Sequence, residues 1–400
     1  MPTPTDGTDD TGDTSDGEAT PAPSGAELTR LWRFNRPRVA KRIVERAMPG
    51  GRFALFGPRQ TGKTSLLIEE VLPAAREAGR RTVYIECWAD RRDPAAGIGH
   101  ALAKALDEAR RPPAGIARTL RRRVGAVGIA GVQVELEPEL ASSLPASKYL
   151  RIDALLSLLL RETREPLLLV FDEFQAVAEA EQPDAVAAAV RAALASHPGR
   201  VGAVFSGSSE VQLLELFTRS RTPLYGFASP EPYPLLGKDF VAHVARRFKA
   251  ATTRELPAAE ALALLATLGH QPEPFLHAVA IAMAQPRWGL QRALAAMLDP
   301  RVRNRWTVAF SALTPIQRGV LVAVHHGLAP TSREGLELAA QWAGVPRVAA
   351  SSAARALEAL ALQGLVERAA ERLAERRPPV PWVVADAVML AWLRQNVGKE

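Results

Sequence analysis

Four hundred residues is too long for one small domain and points to two or three. Hydrophobic residues at 47% supply a large core, which excludes a wholly disordered chain, and the Ala, Leu and Arg runs argue for much helix. The single cysteine, Cys87, excludes a disulfide within the chain and suits a reducing cytosol, so a cytoplasmic location is expected. No run of about 18 apolar residues is present, so no membrane span is expected. The N-terminus lacks the basic and apolar regions of a signal peptide.

The net charge of +7 conceals an acidic end. Residues 1–26 hold six acids (Asp6, Asp9, Asp10, Asp13, Asp16 and Glu18) and no Lys or Arg, so the rest of the chain carries +13. That balance is compatible with a polyanionic partner and equally with the Arg-rich composition of a GC-rich genome. With almost no apolar content, residues 1–26 are expected to be a disordered acidic tail. From Glu27 to Met48 the chain turns basic and amphipathic, with Leu28, Leu31, Trp32, Val39, Ile43 and Val44 among Arg and Lys. This segment either covers a nucleotide base or is an ordinary packing helix.

Arg52–Phe56 reads as a strand, Ser65–Leu72 as a helix, and between them stands Gly57-Pro-Arg-Gln-Thr-Gly-Lys-Thr64. This fits G-x-x-x-x-G-K-[ST] in the strand–loop–helix context that identifies a phosphate-binding loop, or P-loop. Gly57 and Gly62 let the backbone wrap. Amides from Thr61 to Ser65, with Gln60 beside them, then face a phosphate at a helix N-terminus whose dipole favours anions. Lys63 is expected to reach the β- and γ-phosphates and Thr64 to hold Mg²⁺. ATP and Mg²⁺ are therefore the expected ligands.

Arg81–Glu86 reads as a second strand, residues 93–123 as helix, residues 124–136 as an inserted hairpin and residues 149–164 as helix again. Pro166–Phe171 is a continuous apolar run, as in a strand buried on both faces of a parallel sheet, and it runs into Asp172-Glu173. Apolar strand then Asp-Glu, about 110 residues after a P-loop, is a Walker B pattern: Asp172 for Mg²⁺ through a coordinated water, Glu173 to polarise the attacking water. Gln175 either senses the phosphate or caps the next helix. Residues 182–196 read as helix and Arg200–Phe205 as a strand ending in Ser206-Gly-Ser-Ser209, where Ser206 and Ser208 are candidate sensors and a plain Ser-Gly turn is the alternative. Arg219 and Arg221, at a helix end, are candidate arginine fingers in cis or on a neighbouring subunit, or a solvated charge pair. His270 stands where a helical lid would meet the nucleotide, or holds its own loop.

Strands then stop. The expected organisation is a tail (1–26), a three-layer αβα core with a parallel sheet (27–238), a helical lid (239–300) and a winged-helix-like unit (301–400). In the last, Thr314–Val324, Leu336–Trp342 and Arg347–Leu362 form three helices. Gly364–Arg368, a tip at 369–377 and Val380–Val384 follow as the wing. The third helix offers Arg347, Ser351, Ser352 and Arg355, while wing arginines alternate with glutamates. Both DNA binding and a protein-contact or packing role stay open.

Phe56–Leu67 closely resembles the Gly-Pro-Arg-x-Thr-Gly-Lys-Thr-Ser P-loop of the archaeal-type ATPases, near the AAA+ and STAND branches of P-loop ATPases. Asp172–Gln175, Ser206–Ser209, Pro223–Gly226 and the stretch from Val384 to Arg394 resemble further motifs of that family, over roughly residues 30–394. Phe227 stands where the family often has Arg. The resemblance implies an αβα ATPase core, a helical lid and a winged helix, with ATP and Mg²⁺ bound. It is the pattern of an ATP-hydrolysing switch or remodeller, with an ATP-gated DNA-binding protein as the alternative and a protein partner or a homo-oligomer as further expectations.

Overall fold

The computed structural model describes residues 24–110, 143–301, 305–368 and 382–397. All but residues 24–26 of the expected tail, the 124–136 hairpin and the 369–377 wing tip lie outside the described residues. So does the expected continuation of a helix beyond residue 110.

Five parallel strands, β1 (Arg52–Phe56), β2 (Arg81–Glu86), β3 (Leu167–Asp172), β4 (Val201–Gly207) and β5 (Ser229–Pro232), form one sheet in the order β2-β3-β4-β1-β5. Every residue of β3 and β4 is buried, because these strands are covered on both faces. Alternation sorts the side chains. Phe53, Leu55, Leu168, Val170 and Val204 face one layer, made of α2 (Pro37–Arg46) and the helix after the loop. Ala54, Leu167, Leu169, Phe171, Ala203 and Phe205 face the other. That layer holds α5 (Pro94–Arg110), α6 (Lys148–Glu162), α7 (Pro183–Ala195) and α8 (Glu210–Thr218). The core is thus the expected three-layer αβα sandwich.

The helix after the loop runs as α3 (Lys63–Leu66), a π-helical segment (Leu67–Val71) and α4 (Leu72–Glu77). Pro73 explains the interruption: it has no N–H to donate, and its ring would crowd the carbonyl four residues back in a regular α-helix. The wider turn brings Glu69 and Glu70 towards the N-terminal segment, where Glu69 pairs with Arg33 at 2.9 Å and Glu70 accepts the Arg36 amide.

β5 was not foreseen. Ser-Pro-Glu-Pro has the wrong residues for a central strand, but it lies at the sheet edge beside β1, where proline costs no ladder bond on the open side. Its position matters because it delivers Tyr233 to the loop.

The second half is helical: α9 (Lys238–Thr252), α10 (Ala258–Thr267), α11 (Pro272–Ala284) and α12 (Leu290–Met297), then α13 (Arg305–Ala312), α14 (Pro315–His325), α15 (Arg333–Ala343) and α16 (Ala350–Leu362). Strand β6 (Val366–Arg368) then pairs antiparallel with β7 (Trp382–Val384), and α17 (Ala387–Asn396) closes the chain. Three helices and a two-stranded ribbon follow the expected winged order. Thr314 caps α14 in a box with Gln317, as its sequence predicts. One apolar core runs through this half from Leu28 to Val397. It includes α1 (Gly25–Leu31), which crosses α11 so closely that a Cβ on Gly25 would come within 2.5 Å of the Glu273 carbonyl oxygen. Among the described residues, no helix is long and apolar enough to cross a membrane.

Candidate functional site

The carboxyl ends of β1, β3 and β4 meet at one edge of the sheet, the edge where parallel α/β sheets bind ligands. β1 runs straight into the Gly57–Thr64 loop. Gly62 holds φ 88° and Gln60 φ 61°. The left-handed region costs a non-glycine residue about 1–3 kcal/mol, so Gln60 is held there by its surroundings. At Gly57 a Cβ would lie 2.8 Å from that of Tyr233, so only glycine lets β5 press against the loop. The Tyr233 hydroxyl donates to the Thr61 carbonyl at 3.3 Å, and Thr61, itself fully enclosed, donates to Pro58 O at 2.8 Å.

Lys63 is buried and its ammonium donates to the Gly57 and Pro58 carbonyls at 2.7 and 2.6 Å. Burial pulls its pKa down to about 8, against the attraction of Glu173 and Asp172, which places both Walker B acids within its field. Thr64 and Ser65 are exposed at the head of α3.

The Thr64 hydroxyl donates to Asp172 Oδ2 at 2.7 Å, joining loop and Walker B strand across 108 residues. Glu173 follows at φ 51°, a second left-handed non-glycine residue, and is anchored from behind. Phe171, Phe174, Phe205 and Phe217 stack under the site, with Phe174 and Phe205 at 4.6 Å and Phe171 and Phe205 at 5.0 Å. The Glu173 carboxylate accepts the Ser208 hydroxyl at 2.6 Å and the Gln175 amide. Gln175 also donates to Ser208 at 3.2 Å. Gln175 therefore holds the acid beside it, a role that neither sequence reading gave it. Ser206, the other candidate sensor, is fully enclosed, and its hydroxyl finds no partner among the described residues; nor does Gln175 Oε1.

On the other side of the loop a cavity of about 420 Å³ lies between the N-terminal segment and the helical half. Trp32, Phe34, Leu236, Phe240 and Leu276 give it apolar walls, and Thr61 and Gly62 connect it to the loop. Its size and lining suit a small aromatic ligand. Arg36 closes one side, its guanidinium 5.1 Å over the Tyr233 ring and bonded to the Pro234 carbonyl at 3.1 Å. Of the expected base-covering or packing segment 27–48, Trp32, Arg33, Phe34 and Arg36 line this cavity, while Ala40, Ile43 and Val44 pack under the sheet.

The C-terminal unit reaches the loop as well, a contact absent from the sequence reading. Arg305 donates to Gln60 Oε1 at 2.8 Å and stands 3.6 Å from Asp386. Arg59 lies against the turn before β6, where a Cβ on Gly364 would fall 2.3 Å from its Nη1. Its guanidinium also sits 5.1 Å over the Trp88 ring. Glu367, on β6, has its carboxyl pKa raised by burial; Arg59 and Lys63 pull it back and Glu210 adds to the rise, so the wing acid faces the loop cations.

Arg219 and Arg221 are both exposed. Arg219 caps the far end of α8, about 13 Å along the axis from the Ser208 end, and pairs with Glu215 at 3.8 Å. Among the described residues no hydrogen bond or ion pair joins either arginine to the loop. His270, at φ 58°, bonds through Nδ1 to the Leu236 carbonyl at 2.7 Å, which ties the turn after α10 to the segment before α9.

For Mg²⁺ the donor set fits. One hydroxyl and one carboxylate meet at 2.7 Å beside a phosphate-type loop, and Mg²⁺ takes one or two carboxylates with phosphate oxygens and water. Among the described residues no cluster of three or more His, Cys, Asp or Glu offers an all-protein cage.

No protein-family model matches the chain, and no curated protein does. Among solved structures, the Walker-type ATPase PABY2304 of Pyrococcus abyssi matches with a TM-score of 0.50 at 17% identity, over 94% of this chain and 98% of the other. The Aeropyrum pernix ORC2 protein in its ADP form reaches 0.47 at 13% identity, over 93% and 98%. The Aeropyrum pernix ORC1 protein in complex with DNA reaches 0.45 at 14% identity, over 91% and 93%. The first of these gives the chain the fold of an archaeal Walker-type ATPase along nearly its whole length.

Proposed function

We propose that this protein is a Mg²⁺-dependent ATPase that works as a switch, or as a remodeller driven by one. The observation that carries the reading is the Thr64–Asp172 contact at 2.7 Å, with Lys63 beside one partner and Glu173 beside the other. A phosphate-binding loop alone serves many chemistries; a loop hydroxyl joined to a Walker B acid, with a second acid one residue on, serves hydrolysis. The adenine would lie in the cavity behind Phe34. Lys63 and the amides from Gly62 to Ser65 would hold the phosphates. Mg²⁺, on Thr64 and Asp172, would neutralise phosphate charge. Glu173 would accept the proton of the attacking water, and Ser208 and Gln175 hold its carboxylate in one orientation. Because Arg305, Arg59 and Glu367 tie the C-terminal unit to the loop, occupancy of the loop would bias where that unit sits. The division into core, lid and winged unit and the cytoplasmic setting belong to the same reading.

A second reading, an ATP-gated DNA-binding protein, is favoured by one feature. Ser351 and Arg355 are exposed four residues apart on α16, and Arg347 is exposed in the segment that leads into it, the expected helix start at Arg347 being replaced by Ala350. Phosphate release from Mg²⁺-ATP, measured with and without double-stranded DNA for the wild type and Glu173→Gln, tests both readings. Release that the substitution abolishes supports the ATPase, and stimulation by DNA brings α16 into the mechanism. Release at the same rate from both proteins would sink the assignment of Glu173.

A further inference from the structure

We infer that Tyr84 is a positioning residue for Asp172: its phenol fixes the carboxylate that must meet Thr64 when a divalent cation binds. The inference rests on the ATPase reading above and assigns part of its metal site to a strand that carries no recognised motif.

The geometry begins with strand register. β2 and β3 pair in parallel with Tyr84 opposite Val170 and Glu86 opposite Asp172. Partners in a parallel pair share a face, so Tyr84 lies on the face of Val170 and Asp172, two residues short of the acid. Its ring packs against the apolar layer under the loop helix and runs along the sheet to the strand end. There the hydroxyl donates to Asp172 Oδ2 at 2.9 Å. The same oxygen accepts Thr64 at 2.7 Å, and Oδ1 accepts the Glu173 amide at 3.1 Å. Asp172 is 2% exposed, so protein donors do what water would do elsewhere.

The consequence follows from torsion and proton count. The last torsion of an aspartate is soft, and a carboxylate with one anchor can swing. Thr64 has one hydroxyl proton; to offer a lone pair to a cation it must give that proton to an acceptor. Asp172 Oδ2 is that acceptor, and Tyr84 keeps it in place from the side opposite the loop. The bland alternative is a half-buried tyrosine whose hydroxyl has simply found an acceptor. That alternative predicts a loss of stability alone.

Tyr84→Phe separates them, since the ring and its packing remain. On the full chain, affinity for a fluorescent non-hydrolysable ATP analogue is measured in EDTA. Mn²⁺ is then titrated into the analogue-loaded protein and free Mn²⁺ followed by electron paramagnetic resonance. We expect Mn²⁺ affinity to fall about 10–100-fold, as it does when a ligand's own hydrogen-bond partner is lost, with analogue affinity in EDTA unchanged within about twofold. The Mg²⁺ concentration for half-maximal turnover should rise by the same factor. Unchanged Mn²⁺ affinity in Tyr84→Phe, with the wild type binding normally, would overturn the role of Tyr84 and leave the ATPase reading standing. A wild type that binds neither analogue nor Mn²⁺ would overturn both.

Discussion

The phosphate end of the cleft and the C-terminal unit that leans on it are held by very different densities of contact. At the phosphate end, Thr64, Tyr84, Asp172, Glu173, Gln175 and Ser208 form one hydrogen-bonded set, and three of them are at most 5% exposed. Against the loop, the C-terminal unit offers one hydrogen bond from Arg305, whose side chain is 43% exposed, and a glycine, Gly364, on which the loop's Arg59 guanidinium lies. Dense, enclosed contacts fix geometry for chemistry. Sparse, solvated ones are worth only about 0.2–1 kcal/mol each, small enough for a ligand's differential affinity to reverse. The phosphate end is thus tied by many enclosed bonds, while few polar contacts join the C-terminal unit to the loop.

The largest expected effect tests the phosphate end. Glu173→Gln keeps the size and the left-handed backbone of the acid but removes its capacity to take a proton. Turnover should fall by about 10²–10⁴-fold, the usual contribution of a positioned base, while ATP affinity stays within about threefold. Loss of binding in parallel with turnover would mean that Glu173 supports the loop instead of the water.

Arg305→Ala tests the C-terminal unit. It removes the bond to Gln60 and the pair with Asp386, and should shift the docked population of the C-terminal unit about two- to tenfold towards release. Faster hydrogen exchange in Val366–Arg368, with exchange in β3 and β4 unchanged, is the expected signature. No change there would mean that the shared apolar core, and not the polar contacts, holds the unit in place.

Glu367 sharpens the same point through pH. Burial raises its docked pKa against the pull of Arg59 and Lys63, so docking takes up a proton. The stabilisation is fully present below the ordinary carboxylate range and is lost as pH rises through the raised docked value. Docking should therefore tighten on acidification. Glu367→Gln should tighten it about two- to fivefold at neutral pH and remove the pH dependence, read by the same exchange measurement. A looser unit in Glu367→Gln would show that attraction to Arg59 outweighs the cost of burial.

How much of this was legible depended on distance along the chain. The loop and the Walker B pair are contiguous motifs at strand ends, and the apolar runs of β1 and β3 announce their strands directly. β5 was hidden because Ser-Pro-Glu-Pro carries no strand signal and is a strand only by lying at the edge beside β1. Tyr84 is one aromatic among ordinary strand residues; only the register with β3 makes it a neighbour of Asp172. Gln60 was readable as a loop residue, yet its partner Arg305 lies 245 residues away and belongs to a helix with no motif. Contacts between distant segments depend on packing that periodicity does not encode.

The smallest expected effect concerns the two arginines that sequence alone offered as fingers. Arg219 and Arg221 are exposed, and Arg219 already faces Glu215. Within one molecule, alanine at either position should change turnover by less than about twofold, as exposed substitutions away from a site usually do. In trans the arithmetic differs, because a finger supplied by a neighbour is worth about 10³–10⁵ in rate. Turnover per molecule measured against protein concentration separates the two cases. A flat profile, identical in Arg219→Ala and Arg221→Ala, leaves catalysis to the residues gathered around Asp172. A rise with concentration that one substitution abolishes would place the missing positive charge on a second copy of the chain, and the enclosed site would then be only half of the catalytic unit.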